Sequence, residues 1–248
     1  MIYYKFENLN IPHLFTTKHG GVSTGIAAQM NLDTTKEPRE NVTQNYHILC
    51  NELGVDFDSL TATMQRHTNN VVKIDYENRG NVVRFPDTFG AVDAMVTNVL
   101  GVTLVTLHAD CLPLYFYDSV TRSIGLAHAG WRGITNNIAG QTIAAMVREY
   151  GATPANIWAG IGPGIRQCCF EVDADVKELF DDEHVIECGE KYKIDLPAAN
   201  AKLMIKAGIE PKHIEISSPN TCTKCNHSFH SHRRSGKQRG SMAALLAL

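Results

Sequence analysis

Between residues 91 and 129 the chain passes through four β-rich runs with scarcely a pause. Residues 91–98, 102–109, 112–117 and 123–129 are apolar or β-branched for most of their length and are bounded by Gly, Asp and Ser. Runs this short, joined by connectors of a few residues, have the character of neighbouring buried strands. The block commits the chain to a sheet and leaves its polar side chains at the strand ends. It also argues against a membrane span, because the most apolar stretch, residues 99–117, is interrupted by His108, Asp110 and Pro113.

Helical periods flank the block. Residues 41–53 place Val42, Tyr46, Leu49 and Leu53 on one face, open on Asn41 as a cap and stop at Gly54. Residues 133–150 repeat Ile134, Ile138, Thr142, Met146 and Tyr150 every four positions and end at Gly151, so a helix begins just after "HAGWRG". Residues 156–161 alternate as a strand, and residues 173–180 read as a short helix capped by Asp173. Residues 199–207 read as another helix, and Ile214 and Ile216 mark a late strand. The expected class is α/β, with α+β as the variant: a layered mixed β-sheet flanked by helices, in a single domain over residues 1–248.

A formal net charge of -3 gives no general pull toward nucleic acid or an anionic membrane. The first fifteen residues lack a basic stretch followed by an apolar run, so no signal peptide is expected and the chain reads as cytoplasmic. Seven cysteines, an odd number without an export signal, read as free thiols or metal ligands rather than a disulfide framework. Adjacent Cys168 and Cys169 read as small residues beneath a loop.

Cys111 and His128 each stand where a β-run ends, so neighbouring strands can bring them to one sheet edge, where α/β sites sit. His67 in "MQRHTNNV" is a third candidate, a polar interruption between apolar runs. One thiolate and two imidazoles suit tetrahedral Zn²⁺ and leave a fourth position open. The same residues also admit an inert buried thiol with hydrogen-bonded histidines. A metal-free hydrolase is a further reading, with Cys111 as nucleophile, His128 as base and His67 orienting.

"HAGWRG" offers glycines for close approach, a stacking face in Trp131 and, in Arg132 at a helix start, a cation for an anion. "AGIGPGIRQCCFEV" lacks the spacing of a phosphate loop and reads as a turn that lines a pocket with backbone amides. The tail "CTKCNHSFHSHRRSGKQRG" sets Cys222, Cys225, His227, His230 and His232 ahead of Arg233, Arg234, Lys237 and Arg239. It reads as a zinc knuckle or, by preference, as a basic lip over an anionic substrate.

Taken together, "KHGGVS" (18–23), "QRH" (65–67), "VDAMVT" (92–97), "ADCLPLYFYD" (109–118), "GLAHAGWRG" (125–133), "GIGPGIRQCCFEV" (160–172) and the "FHSHRR" tail resemble one family. It is the laccase-domain family, formerly described as polyphenol oxidases and now as purine nucleoside phosphorylases with adenosine deaminase activity. The resemblance implies one α/β domain in which His67, Cys111 and His128 are both zinc ligands and catalytic residues, with Cu²⁺ as the alternative metal. It implies phosphorolysis of adenosine, inosine and S-methyl-5'-thioadenosine to base and sugar 1-phosphate, and deamination of adenosine to inosine.

The expected partners are therefore small purine nucleosides and phosphate, with no nucleic acid and no membrane. Within that frame Arg132, Arg233 and Lys18 are candidate substrate or phosphate contacts, and Asp110 is a candidate proton-transfer neighbour of the metal. Lys18 stands where the family commonly has Arg, Thr68 where Gly is usual, and His108 precedes "ADC" outside the family pattern. A copper-dependent polyphenol oxidase is the other family-linked alternative, though His230 and His232 form the chain's one H-x-H pair.

Overall fold

The computed structural model describes residues 2–27, 29–82 and 89–248. In chain order its strands are β1 (Tyr3–Tyr4), β2 (His13–Thr16), β3 (Leu60–Ala62), β4 (Val71–Lys73), β5 (Ala94–Thr97), β6 (Thr103–His108), β7 (Leu112–Asp118) and β8 (Ser123–Ala129). They continue with β9 (Ile157–Ile161), β10 (Glu171–Val172), β11 (Val185–Cys188), β12 (Lys191–Ile194), β13 (Ile214–Ile216) and β14 (Met242–Ala247). The α-helices are α1 (Arg39–Leu53), α2 (Trp131–Thr135), α3 (Ile138–Tyr150), α4 (Ala174–Lys177), α5 (Leu196–Lys206) and α6 (His232–Ser235).

The α/β class holds, but the expected sheet is divided. A five-stranded sheet runs β1-β2-β14-β6-β3, a six-stranded sheet β13-β9-β7-β8-β5-β4, and a small one β10-β12-β11. Both large sheets are mixed, each with parallel pairing at an edge, as in β3 with β6 and β4 with β5. The β-rich block therefore does not lie in one sheet: β6 joins the five-stranded sheet, while β5, β7 and β8 pair in the six-stranded one.

Side-chain alternation explains the stacking. Along β14, Met242, Ala244 and Leu246 enter a layer shared with Phe15, Leu104, Tyr115, Ile124 and Leu126. Ala243 and Leu245 turn the other way, toward Val42, Tyr46 and Leu49 of α1. On the far face of the six-stranded sheet, Leu114, Phe116, Ala127 and Ala129 pack with Ile138 and Met146 of α3. The result is helix, sheet, sheet, helix, with both faces of each large sheet covered, which is why these strands read as nearly continuous apolar runs. Each large side chain sealed in these layers stabilises the fold by roughly 1.5–3 kcal/mol. Tyr115 adds a polar tie between the sheets, its hydroxyl donating to the Leu14 carbonyl at 2.8 Å.

Three helix ends differ from the sequence expectation for local reasons. Helix α1 begins at Arg39, just past Pro38, and Asn41 spends its side chain on Glu37 rather than on a cap. Helix α5 begins at Leu196, before residue 199, because Asp195 caps the Ala198 amide and Pro197 sits in the first turn. Helix α4 ends at Lys177, and Asp173 makes no side-chain cap bond. The helix expected over residues 133–150 is two helices, α2 and α3, separated at Asn136 and Asn137. Among the described residues, no helix is long and apolar enough to cross a membrane.

Candidate active site

The period of two that builds the inter-sheet layer also assembles the site at its end. On β6, Leu104 faces that layer, so Thr106 and His108 do as well; on β8, Leu126 sets the same phase for His128. Tyr115 of β7 and Met95 of β5 share the layer, and extending their phase past the strand ends gives Cys111 and Asp93. The pairing of β7 with β8 sets Pro113 opposite His128 and Leu112 opposite Ala129, so Cys111 arrives beside Gly130. A β-carbon at Gly130 would lie 2.5 Å from His67 Cδ2 and 3.1 Å from Cys111 Sγ, so the site requires glycine there.

His67 comes from the connection between β3 and β4. Gln65 fastens that segment to β6, accepting from the Leu107 amide at 2.7 Å and donating to its carbonyl at 2.8 Å. The residue that joins everything is Asp93, whose carboxylate is fully buried. It accepts from the backbone N–H groups of Arg66, His67 and Thr68 at 3.0, 3.0 and 2.7 Å and from the Thr68 hydroxyl at 2.8 Å. It also accepts from His128 Nδ1–H at 2.8 Å, which turns His128 Nε2 toward the cluster. Sequence reasoning missed Asp93; its one signal was an acid embedded in the apolar run "VDAMVT".

Cys111 Sγ, a ring nitrogen of His67 and one of His128 lie within 4.8 Å of one another, with His67 Nε2 at 3.8 Å from the sulfur. Burial pushes the Cys111 thiol up, but the neighbouring His128 and then His67 outweigh it and bring the thiol to about 6. Burial works against His128⁺ too, yet the Cys111 thiolate and Asp93 raise His128 to about 9. A thiolate beside an imidazolium is thus the favoured metal-free state at neutral pH. His67 is exposed, so the group opens to solvent on that side. His67 and Asp110 both hold left-handed backbone, at φ 61 and 91, which places two strained non-glycine residues at the site.

His108 stands beside this group, its ring centroid 5.3 Å from that of His128. Its Nδ1–H donates to the Cys111 carbonyl at 3.0 Å and its Nε2 accepts from Thr106 at 2.7 Å, so both ring nitrogens are occupied. Burial, then the nearby His128 charge, holds it neutral, well below the usual histidine range. Both Asp110 oxygens are likewise engaged, by the Thr223 hydroxyl and the Arg233 amide at 2.6 Å each.

The three candidate cations lie in different settings. The Arg132 guanidinium is stacked 4.1 Å over the Trp131 ring, in α2, directly after Gly130. The exposed Arg233 guanidinium lies over the Phe170 ring and donates to the carbonyls of Cys169 and Glu171, so it braces backbone at the edge of the C-terminal segment. Lys18 lines a cavity of about 260 Å³ with His230, Arg234, Gln238 and Arg239. Cys168 and Cys169 are not small residues sealed under a loop: Cys168 is exposed, and both sulfurs lie against Cys225. Among the described residues, His230 and His232 join no group of metal donors.

Comparison with known proteins agrees with this architecture. Purine nucleoside phosphorylase YlmD of Geobacillus stearothermophilus is 33% identical over 242 residues, covering 93% of this chain and 88% of its own. Adenosine deaminase RL5, from an unknown prokaryotic organism, is 37% identical over 202 residues, covering 77% and 76%. The crystal structure of the hypothetical protein YfiH of Bacillus licheniformis superposes with a TM-score of 0.90 at 32% identity, covering 95% of this chain and 92% of its own. Residues 12–248 match the family described as multi-copper polyphenol oxidoreductase laccase, and the chain belongs to that family.

Proposed function

We propose that this chain is a zinc-dependent purine nucleoside phosphorylase that also deaminates adenosine, acting in the cytoplasm on adenosine, inosine or S-methyl-5'-thioadenosine. The observation that carries the reading is Asp93 fixing both histidines around the Cys111 thiolate, three borderline-soft donors within 4.8 Å of one another. The donor set fits a divalent metal: one sulfur, two imidazole nitrogens and a buried carboxylate that orients the His128 ring and pins the His67 backbone. Zinc held by Cys111 Sγ, His67 and His128 Nε2 supplies Lewis acidity at an open fourth position, with Cu²⁺ the competing occupant. The relatives' names supply the substrate class.

The chain's own residues supply orientation and charge. Exposed His67 lets substrate reach the cluster, while buried Asp93 and His108 hold the inner wall rigid. Phosphorolysis needs an anion brought against a sugar carbon that becomes cationic in the transition state. Arg132, exposed in the first turn of α2 two residues after Gly130, is assigned to phosphate; Lys18 belongs to the basic cavity it shares with Arg234 and Arg239. Arg233 and Asp110 are assigned to positioning, each by fastening the C-terminal loop beside Cys111.

The test is chromatography of products from adenosine with and without phosphate, on metal-loaded chain. Adenine and ribose 1-phosphate should form only with phosphate, inosine without it, and Cys111→Ala should abolish both. Undiminished conversion by Cys111→Ala would sink the proposal. One observation favours a second reading, a metal-free cysteine hydrolase: Cys111, His128 and Asp93 are linked in the order nucleophile, base, orienter. Full activity after exhaustive chelation would select it.

A further inference from the structure

A second group of metal-binding side chains lies apart from His67, Cys111 and His128, and neither the chemistry above nor the relatives' names account for it. Cys168 and Cys169 sit in the turn between β9 and β10; Cys222 and Cys225 sit in the loop between β13 and α6. More than fifty positions separate the pairs in sequence, and a parallel bridge between Gly164 and Cys222, with the Thr223 amide donating to the Gly164 carbonyl at 3.1 Å, brings them together. All four cysteines are free thiols.

Their spacing is that of a coordination polyhedron. Cys168 Sγ lies 3.7 Å from Cys169, 3.6 Å from Cys222 and 3.8 Å from Cys225, and all four sulfurs are within 4.8 Å of one another. With metal–sulfur bonds of about 2.3 Å, a regular tetrahedron has sulfur–sulfur edges of about 3.8 Å. The Cys169–Cys225 edge is shorter, at 3.2 Å. Packing gives no reason for the cluster, because Cys168 and Cys225 are exposed and a thiol is a weak hydrogen-bond partner for another thiol.

The surroundings suit bound thiolates. Backbone N–H groups of Cys225 and Arg166 point at the Cys222 sulfur, and the Asn226 amide closes the C-x-x-C turn on the Cys222 carbonyl at 2.8 Å. The Arg166 guanidinium, buried among Ser217 and Thr221, carries its positive charge close to Cys222 and Cys168. The second ligand pair that a knuckle at Cys222 and Cys225 lacked in sequence is the vicinal pair Cys168 and Cys169.

We propose that Cys168, Cys169, Cys222 and Cys225 form a closed tetrathiolate site for a thiophilic divalent cation, zinc by preference, with a structural role. Four protein ligands leave no open position, in contrast to the three at Cys111. The metal ties the β9–β10 turn to the loop that carries Thr223 and leads into α6 with Arg233, the two residues that hold Asp110, and through that segment it steadies the rim beside Cys111. The site stands whether or not the Cys111 group takes a metal.

Metal analysis and cobalt spectroscopy on the full chain test the proposal. Cys111→Ser, loaded with Zn²⁺ and desalted, should retain one equivalent, and Co²⁺ in its place should give visible bands of tetrahedral cobalt with strong near-ultraviolet thiolate charge transfer. The doubly substituted C222S/C225S chain should lose that equivalent. A Cys111→Ser protein that binds no metal overturns the proposal. The unsubstituted chain gives an independent reading if a variant does not fold. Alkylation with iodoacetamide and mass mapping should find these four cysteines protected in the zinc-loaded protein and modified once zinc is chelated. Equal modification in both states, or protection relieved only by a reductant as for a Cys169–Cys225 disulfide, overturns it.

Discussion

Asp93 concentrates the site's organisation in one side chain. Its carboxylate is held down to about 2: burial pushes it up, but the bonds from His128 and Thr68 prevail. Because it serves a backbone segment and an imidazole at once, an amide cannot replace it; the NH₂ of asparagine has nothing to accept with. Asp93→Asn should therefore weaken zinc affinity by about 10–100-fold without removing a ligand. Competition with a chromogenic chelator measures this, and an unchanged affinity would show that the histidines are oriented by something else. Cys111 and His128 were legible in the sequence as candidates because each ends a β-run. Asp93 was not, since an acid inside an apolar run shows its role only when its five donors are seen around it.

Among the elements, the junction between α2 and α3 shows how a periodic pattern misleads. Ile134 and Ile138 keep the four-residue spacing across the break because both pack into the same core beneath the six-stranded sheet. The signal for the break was the pair Asn136-Asn137: Asn137 is left-handed at φ 60 and its side chain accepts from the Gly140 amide at 3.2 Å. Asn137→Ala loses the cap and strains the backbone, and should cost about 1–2 kcal/mol. Asn137→Gly, which keeps the left-handed conformation, should cost only a few tenths. Urea denaturation of the two variants with equal slopes would read the difference directly, and equal losses would refute the assignment. Strand β8 matched its sequence boundaries because both of its faces are buried; β5 was shorter than its apolar run, because Val92 and Asp93 lead into the site loop.

Across the whole molecule, two sheets and their helices bury histidines that the unfolded chain would protonate. His230 is 6% exposed, with its Nε2 at 3.0 Å from the Met30 carbonyl. Burial, assisted by the charges of Lys18, Arg239 and Arg234 and opposed by that bond to Met30, lowers it from 6.5 to about 4. Its folded value is depressed, so between these two values the unfolded chain binds a proton there that the folded chain refuses. Stability is complete above pH 6.5 and falls as pH drops toward 4. The effect amounts to about 3 kcal/mol at the acid end. His230→Gln keeps a donor for Met30 and should make stability fall less between pH 7 and pH 5, with buried His13 and His108 supplying the remaining slope; an undiminished pH slope in denaturant titrations would assign the effect elsewhere.

The sequence by itself determined the α/β class, the position of most strands and helices, the family, and the candidacy of His67, Cys111 and His128. These follow from local periodicity, from turn residues and from short collinear motifs. Only the tertiary structure decided that the strands divide between two stacked sheets, that Asp93 governs both histidines, that Arg233 braces carbonyls, and that Cys168 and Cys169 meet Cys222 and Cys225. Alternation fixes which residues share a face of a strand, but not which sheet the strand joins. Pairing between distant segments makes that choice, and with it the neighbours of every polar side chain at the strand ends.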